Sequence, residues 1–356
     1  MTDRNQTIRI GIIGAGANTR LMHLPGFQAI EGVSVDVVCN RSEATSRKAA
    51  EAFGIPRIAK DWKAVVGDPS IDAVMVGTWP YLHAEATVAA LESGKHVLTE
   101  ARMARDLAEA EAMLEASVRH PELVTQIVPA PMSLDFDAVV QDLLTRKTLG
   151  DIREVCVTHT GAQFVRSDTP ATWRQSIELS GCNMLTMGIY YEIVRRWLGT
   201  DPESVIASGA VFTPTRPGFL DGSPESIGIP DSVTILGHYA EGARFIGHFS
   251  GVESGRPRNE IRLNGSKGSL RVDFAAKELF RAEAGVAEER PVDVPVASRR
   301  GWRVEADFVD SIRTGAPVRL TSFADGVRYM AFTEAVFKSV EAGGVAQSVS
   351  PPSGPG

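Results

Sequence analysis

The chain has 356 residues, 43% hydrophobic and 23% charged, with 37 Lys and Arg against 44 Asp and Glu for a net charge of −7. This is an ordinary globular balance with length for two domains, and it argues against a nucleic-acid surface, which needs a basic face. No apolar run reaches the ~20 residues of a bilayer span, and MTDRNQTIRI lacks the apolar core of a signal peptide. The three scattered cysteines fit a reduced, cytoplasmic chain, and the seven histidines lack metal-ligand spacing, so neither a membrane nor a metal is expected.

Residues 8–13, Ile-Arg-Ile-Gly-Ile-Ile, read as a buried parallel strand. Gly14-Ala-Gly16-Ala-Asn18-Thr19 follows at once, then a helical stretch to about Ile30, then a second strand at 33–39. Strand, glycine turn, helix and strand in one unit predict a dinucleotide site. Gly14 permits the tight turn, and Gly16 lets the backbone approach a pyrophosphate. Asn18 and Thr19 complete the turn and are counted with the cofactor residues. Thr19 stands where a third glycine usually serves close helix–strand packing. At the end of the second strand a carboxylate would select NAD through the ribose 2′-hydroxyl. The chain has Asn40-Arg41-Ser42 instead. An arginine there pairs with a 2′-phosphate, so NADP(H) is favoured over NAD(H).

The alternation continues with predicted helices at 43–53, 62–66, 81–94 and 101–117 and strands at 71–77, 96–99 and 123–128. The expected class is α/β, with a doubly wound Rossmann domain over 1–128. A second domain is expected over 129–346, followed by a disordered Pro/Ser/Gly-rich tail, 347–356.

Ordered matches run the length of the chain: IGIIGAGANT (10–19), HLPGF (23–27), DPSIDAVMVGTWPYLH (68–83), ALESGKHVLTEARMA (90–104), WRQSIELSG (173–181), MGIYYEIVRRWLG (187–199), IRLNGSKGSL (261–270), WRVEADFVDSIRTG (302–315) and FADGVRYM (323–330). On these segments the chain resembles the Gfo/Idh/MocA oxidoreductases. The resemblance implies a C-terminal α/β domain with a large, open, mostly antiparallel sheet whose exposed face often joins subunits, hence a homo-oligomer, dimer or tetramer. It also implies hydride transfer at a hydroxyl or carbonyl of a small-molecule substrate: a sugar, cyclitol or sugar acid.

The family's catalytic positions are altered. Its Glu-Lys-Pro motif reads Glu100-Ala101-Arg102, which keeps the glutamate, counted with the cofactor residues, and loses the lysine. Its Asp and His on the later helix become Thr186 and Tyr190. Tyr190 is then the first acid/base candidate, if a cation such as Arg102 lowers its pKa. His83 closes the segment Thr78-Trp79-Pro80-Tyr81-Leu82-His83, which in the family lies by the nicotinamide. It is the third catalytic candidate, and Trp79 is expected to stack on the nicotinamide or narrow the pocket. His159, Trp173, Arg174 and Asn183 are the expected substrate residues. The lost Lys, Asp and His leave an alternative reading open, a cofactor-binding member without net redox turnover.

Overall fold

The computed structural model describes residues 7–219 and 221–349, and they fall into two compact units, each with its own core. One unit takes the chain up to Pro129 together with Arg303–Val327; the other takes Ala130–Trp302 and the chain from Arg328 onward. The return of 303–327 corrects the linear division at 128/129. Its cause is backbone pairing and packing inside the first unit. Ile127 N donates to Thr321 O at 2.9 Å, and Gln126 Nε2 donates to Val304 O at 3.2 Å. Phe308 packs edge-on against Phe27 at 6.5 Å.

The first unit is built on β1 (Ile8–Ile13), β2 (Val33–Cys39), β3 (Arg57–Ile58), β4 (Ala73–Val76), β5 (His96–Thr99) and β6 (Thr125–Ile127), all parallel. Their order is β3-β2-β1-β4-β5-β6, the doubly wound order that reverses between β1 and β4. The four residues of β4 are wholly buried, as a strand covered by helices on both faces requires. Strand β3 has only two residues, too few to carry a hydrophobic period, and was not expected. After β1 the chain enters a π-helical turn, Thr19–His23, and α1 (Leu24–Gln28). Helices α2 (Glu43–Phe53), α3 (Trp62–Val66), α4 (His83–Glu92) and α5 (Leu107–Arg119) follow. Helix α5 starts six residues later than predicted, because Asp106 caps it by accepting a hydrogen bond from Glu109 N at 2.9 Å.

The missing third glycine is compensated from across the turn. Thr19 is buried and its hydroxyl donates to Gly14 O at 3.0 Å. Room for it comes from Gly77, at the end of β4, where a Cβ would meet Thr19 Oγ1 at 2.3 Å and Gly14 O at 2.5 Å. Gly77→Ala is therefore expected to destabilise the protein by about 1–3 kcal/mol through overpacking. A melting temperature equal to that of the native protein would show that the turn yields at no cost.

The second unit carries α6 (Asp137–Thr145), β7 (Ile152–Thr160), α7 (Ile177–Ser180), α8 (Met187–Leu198), β8 (Ser204–Ala210) and a small hairpin, β9 (Thr215–Pro217) with β10 (Pro224–Ser226). Strands β11 (Ser232–His238), β12 (Arg244–Ser250), β13 (Asn259–Gly265), β14 (Gly268–Asp273), β15 (Glu278–Glu283), β16 (Arg290–Pro291) and β17 (Gln347–Ser348) complete a nine-stranded sheet, ordered β16-β15-β14-β13-β7-β12-β11-β8-β17. Every pair is antiparallel except β7 with β12. Burial alternates along β8 and β11, the mark of a sheet covered on one face. Helix α8 buries most of its residues, with Tyr191 stacked on Phe332 at 3.7 Å. Helices α9 (Val304–Thr314) and α10 (Phe323–Glu341) close the chain before β17. The expected disordered tail is corrected at its start, since Gln347–Ser348 pair with β8 and Val349 is buried. Residues 350–356 lie outside the described residues. No helix among the described residues is long and apolar enough to cross a membrane.

Candidate cofactor cleft and active-site residues

Ligands of doubly wound sheets bind beyond the carboxyl ends of the strands, where the strand order reverses. The first unit has a cleft there of about 430 Å³, lined by Gly14, Gly16, Asn40, Arg41, Ser42, Thr78 and Trp79 among the predicted residues. Gly14 holds φ +90°, and a Cβ on it would strike Thr78 and the Gly77 backbone at under 3 Å. Gly16 differs: the nearest atom to its missing Cβ is Gly77 O at 3.5 Å. The protein's own packing tolerates a side chain at Gly16, so this glycine leaves space to the cleft. That is the cradle a pyrophosphate needs, and the residues fit a dinucleotide.

The end of β2 is held tightly. Asn40 Oδ1 accepts from Ala15 N at 2.6 Å, and its Nδ2 donates to Thr45 O at 3.0 Å. Asn40 thus braces the glycine turn with both ends of its carboxamide. Ser42 caps α2, accepting from Thr45 N at 3.3 Å. Arg41 is exposed, with its guanidinium 5.4 Å from the Trp79 ring. Trp79 lines the cleft against Arg41, where its ring narrows the opening. Lys60, Asp61, Trp62 and Tyr81 also line the cleft. Sequence reasoning missed Lys60 and Asp61 because they follow the two-residue strand β3.

Asn18, Thr19 and Glu100 are not part of that lining. Asn18 Nδ2 donates to Glu100 Oε1 at 2.6 Å, and the same oxygen lies 3.0 Å from His23 Nε2. The other ring nitrogen of His23 meets Glu305 Oε1 at 2.5 Å. His23 and Glu305 were quoted in the sequence only as parts of longer matches. Burial alone pushes the His23 pKa down, but the hydrogen bonds and charges of the two glutamates outweigh it and raise it to about 9. Burial pushes Glu100 up, and the hydrogen bond and charge of His23, with Asn18, bring it below the usual carboxylate range.

The three predicted catalytic residues are all enclosed. His83 is wholly buried, its Nδ1 2.9 Å from Arg102 O and its Nε2 3.0 Å from Thr78 O. Burial lowers its pKa. Each nitrogen faces a main-chain carbonyl and the neutral ring donates to one of them, so His83 is enclosed between the two loops rather than turned to a substrate. Arg102 is 2% exposed. Tyr190, in the second unit, is 1% exposed, edge-on to Phe249 and Phe274, and donates its hydroxyl to Asn259 Oδ1. Burial raises its pKa, the reverse of the expected lowering by a cation.

His159 is better placed. It lies on β7 with its Nδ1 3.0 Å from Thr186 Oγ1 and its ring 5.1 Å from that of Tyr190. It thus sits beside the two positions where the family's Asp and His were expected. With Arg174, Thr186, Gln163 and Gln175 it lines a cavity of about 60 Å³ inside the second unit. Burial lowers the His159 pKa, which favours the neutral ring. Arg174 is exposed and its guanidinium lies 4.2 Å from the ring of Trp173. Asn183 is corrected as a substrate residue: it is fully buried and donates to Ser180 O at 2.6 Å. Among the described residues no group of three His, Cys, Asp or Glu side chains forms a metal site.

A parallel sheet in this order, with a glycine turn at its point of reversal, defines a dinucleotide-binding protein. The chain matches the model of the oxidoreductase family with an NAD-binding Rossmann fold over residues 8–127 and that of the GFO/IDH/MocA C-terminal domain over 138–271; it belongs to the Gfo/Idh/MocA oxidoreductases. It is 23% identical to levoglucosan dehydrogenase of Pseudarthrobacter phenanthrenivorans, over 94% of this chain and 96% of that protein. Myo-inositol 2-dehydrogenase of Thermotoga maritima is 23% identical over the same shares. Among solved structures, levoglucosan dehydrogenase in complex with NADH and L-sorbose superposes with a TM-score of 0.86 at 22% identity, over 98% of this chain and 100% of that one.

Proposed function

We propose that the protein is an NADP(H)-linked oxidoreductase that interconverts a hydroxyl and a carbonyl on a sugar, cyclitol or sugar acid. The observation that carries the cofactor preference is Arg41, held at the cleft by Trp79 where a ribose-binding carboxylate would stand in an NAD enzyme. A 2′-phosphate there meets Arg41, with Lys60 also in the lining, and guanidinium–phosphate pairing is strong and geometrically selective. Gly14 and Gly16 cradle the pyrophosphate. Thr78 lines the cleft, and Glu100, at the end of β5, is assigned to the nicotinamide half. The substrate class is supported by the names of the relatives, a levoglucosan and a myo-inositol dehydrogenase.

The bound nicotinamide supplies a hydride acceptor or donor, and the chain must supply a partner for the hydroxyl proton. His159 is that partner. Its Nδ1 is engaged by Thr186, and its ring lines a small cavity with Arg174 and Gln163, side chains suited to sugar oxygens. Its lowered pKa keeps it neutral and able to accept a proton. Self-association as a dimer or tetramer is assigned to the outward face of the nine-stranded sheet, where the paired Ile206 and Leu236 stay exposed.

Titration of the purified protein with NADPH, NADP⁺, NADH and NAD⁺ tests this reading. Tighter binding of the phosphorylated pair by about tenfold or more is expected. Equal affinities would remove the NADP assignment, and no binding of any of the four would remove the enzyme reading. A cyclitol and sugar panel with absorbance at the nicotinamide band then separates net redox turnover from cofactor binding without it.

A further inference from the structure

Two segments singled out in the sequence, HLPGF (23–27) and WRVEADF (302–308), take no part in the cleft just described. They meet in the first unit around one buried ion cluster. His23 is fully enclosed, with side-chain exposures of 14% and 4% for its partners Glu100 and Glu305. A neutral imidazole donates through one nitrogen only, whereas an imidazolium donates through both. Each nitrogen faces a glutamate oxygen, at 3.0 and 2.5 Å, so the geometry is that of a cation between two carboxylates. The approach of Glu305 is built in, since a Cβ on Gly26 would lie 2.7 Å from its carboxyl atoms. Removing one partner from such a cluster leaves an uncompensated buried charge.

Glu100 leaves this cluster at the carboxyl end of β5. Strands β1, β2 and β3, on one side of the point of reversal, supply most of the cleft around Arg41, and β4 and β5 lie on the other. A dinucleotide laid across that point puts its nicotinamide half over β4 and β5. We propose that His23, clamped by Glu305, is a positioning residue for the nicotinamide half of the cofactor: its imidazolium fixes the place of the Glu100 carboxylate at the end of β5. This inference rests on the cofactor reading above and adds a second, pH-sensitive control to it. The groups facing His23 are Asn18 from the glycine turn, Glu100 from the loop after β5 and Glu305 from α9. His83 of α4 acts on Glu100 through its charge only when protonated, and burial opposes that protonation.

The sign follows from the raised basicity of His23. Its folded-state pKa of about 9 stands above the ordinary 6.5, so the clamp is fully present below 6.5 and is lost as pH rises through about 9. The experiment compares NADP⁺ with 2′,5′-ADP, which carries only the adenosine half and its phosphate, by calorimetry from about pH 7 to about pH 10. NADP⁺ affinity is expected to fall about tenfold across that window while 2′,5′-ADP affinity stays level, the loss of one charge-assisted hydrogen bond. Glu305→Gln is expected to move the midpoint to lower pH with 2′,5′-ADP still unaffected. Parallel behaviour of the two ligands, or an unmoved midpoint in the folded variant, overturns the proposal. If Glu305→Gln fails to fold, the native pH profile decides alone. If 2′,5′-ADP does not bind, the fault lies in the NADP preference, and NAD⁺ against ADP then tests His23 in the same way. Failure of every nucleotide to bind overturns both readings.

Discussion

Replacing His159 by Gln is expected to lower turnover by about 10²–10⁴-fold, the usual worth of a positioned proton-transfer group. The amide keeps a donor and an acceptor of similar size, so the Thr186 contact and the cavity wall survive. Affinity for NADP⁺ is expected to be unchanged, because His159 lies in the second unit and the cofactor cleft in the first. The pH profile gives an independent check. Burial lowers the His159 pKa, so the ring stays neutral at pH values where an ordinary histidine is half protonated. Alcohol oxidation, which needs the neutral base, is therefore expected to persist below pH 6.5 and to fall only in more acidic solution. Turnover of the variant within about threefold of the native rate would end the assignment of His159. Tyr190→Phe is the companion measurement. It removes only a hydroxyl already given to Asn259, and it is expected to cost stability rather than to abolish turnover.

Replacing Arg41 by Ala is expected to weaken NADPH about tenfold to a hundredfold, as the loss of hydrogen bonds to a doubly charged phosphate implies. NADH should change by no more than about twofold, since it offers no 2′-phosphate to lose. Fluorescence titration of the two reduced cofactors reads the ratio directly. Equal losses would mean that Arg41 acts by packing on Trp79, and that cofactor selection lies with Lys60 or Asp61 in the same lining. Asp61 is the residue to watch in that case, since a carboxylate near the ribose favours NAD. Here its side chain already accepts from Ala64 N at 2.8 Å as the cap of α3.

Much of the first unit was legible because its signals are local. The apolar runs of β1, β2 and β4 and the glycine turn each lie within a few residues. Asn40, Arg41 and Ser42 were found because they follow a strand whose end could be read from its apolar period. Lys60 and Asp61 escaped because β3 has no period to read. His23 and Glu305 escaped for another reason: 282 positions separate them, and neither lies in a pattern that betrays the other.

The altered catalytic positions divide in the same way. Sequence comparison located Ala101, Thr186 and Tyr190 as departures, but it could not say which way Tyr190 points. Helix α8 turns that phenol into the core of the second unit, against Phe249 and Phe274, and β7 brings His159 beside Thr186. His83 and Asn183 were chosen for their chemistry, yet burial commits both to neighbouring carbonyls.

By itself the sequence determined the α/β class, the dinucleotide turn, the family and the positions where the usual acid and base are missing. These rest on short-range spacing and on residue type. Only the tertiary structure decided which polar groups remain available for chemistry. Availability depends on what a side chain meets when distant segments pack, and a buried polar group is claimed by the nearest partner whatever its reactivity.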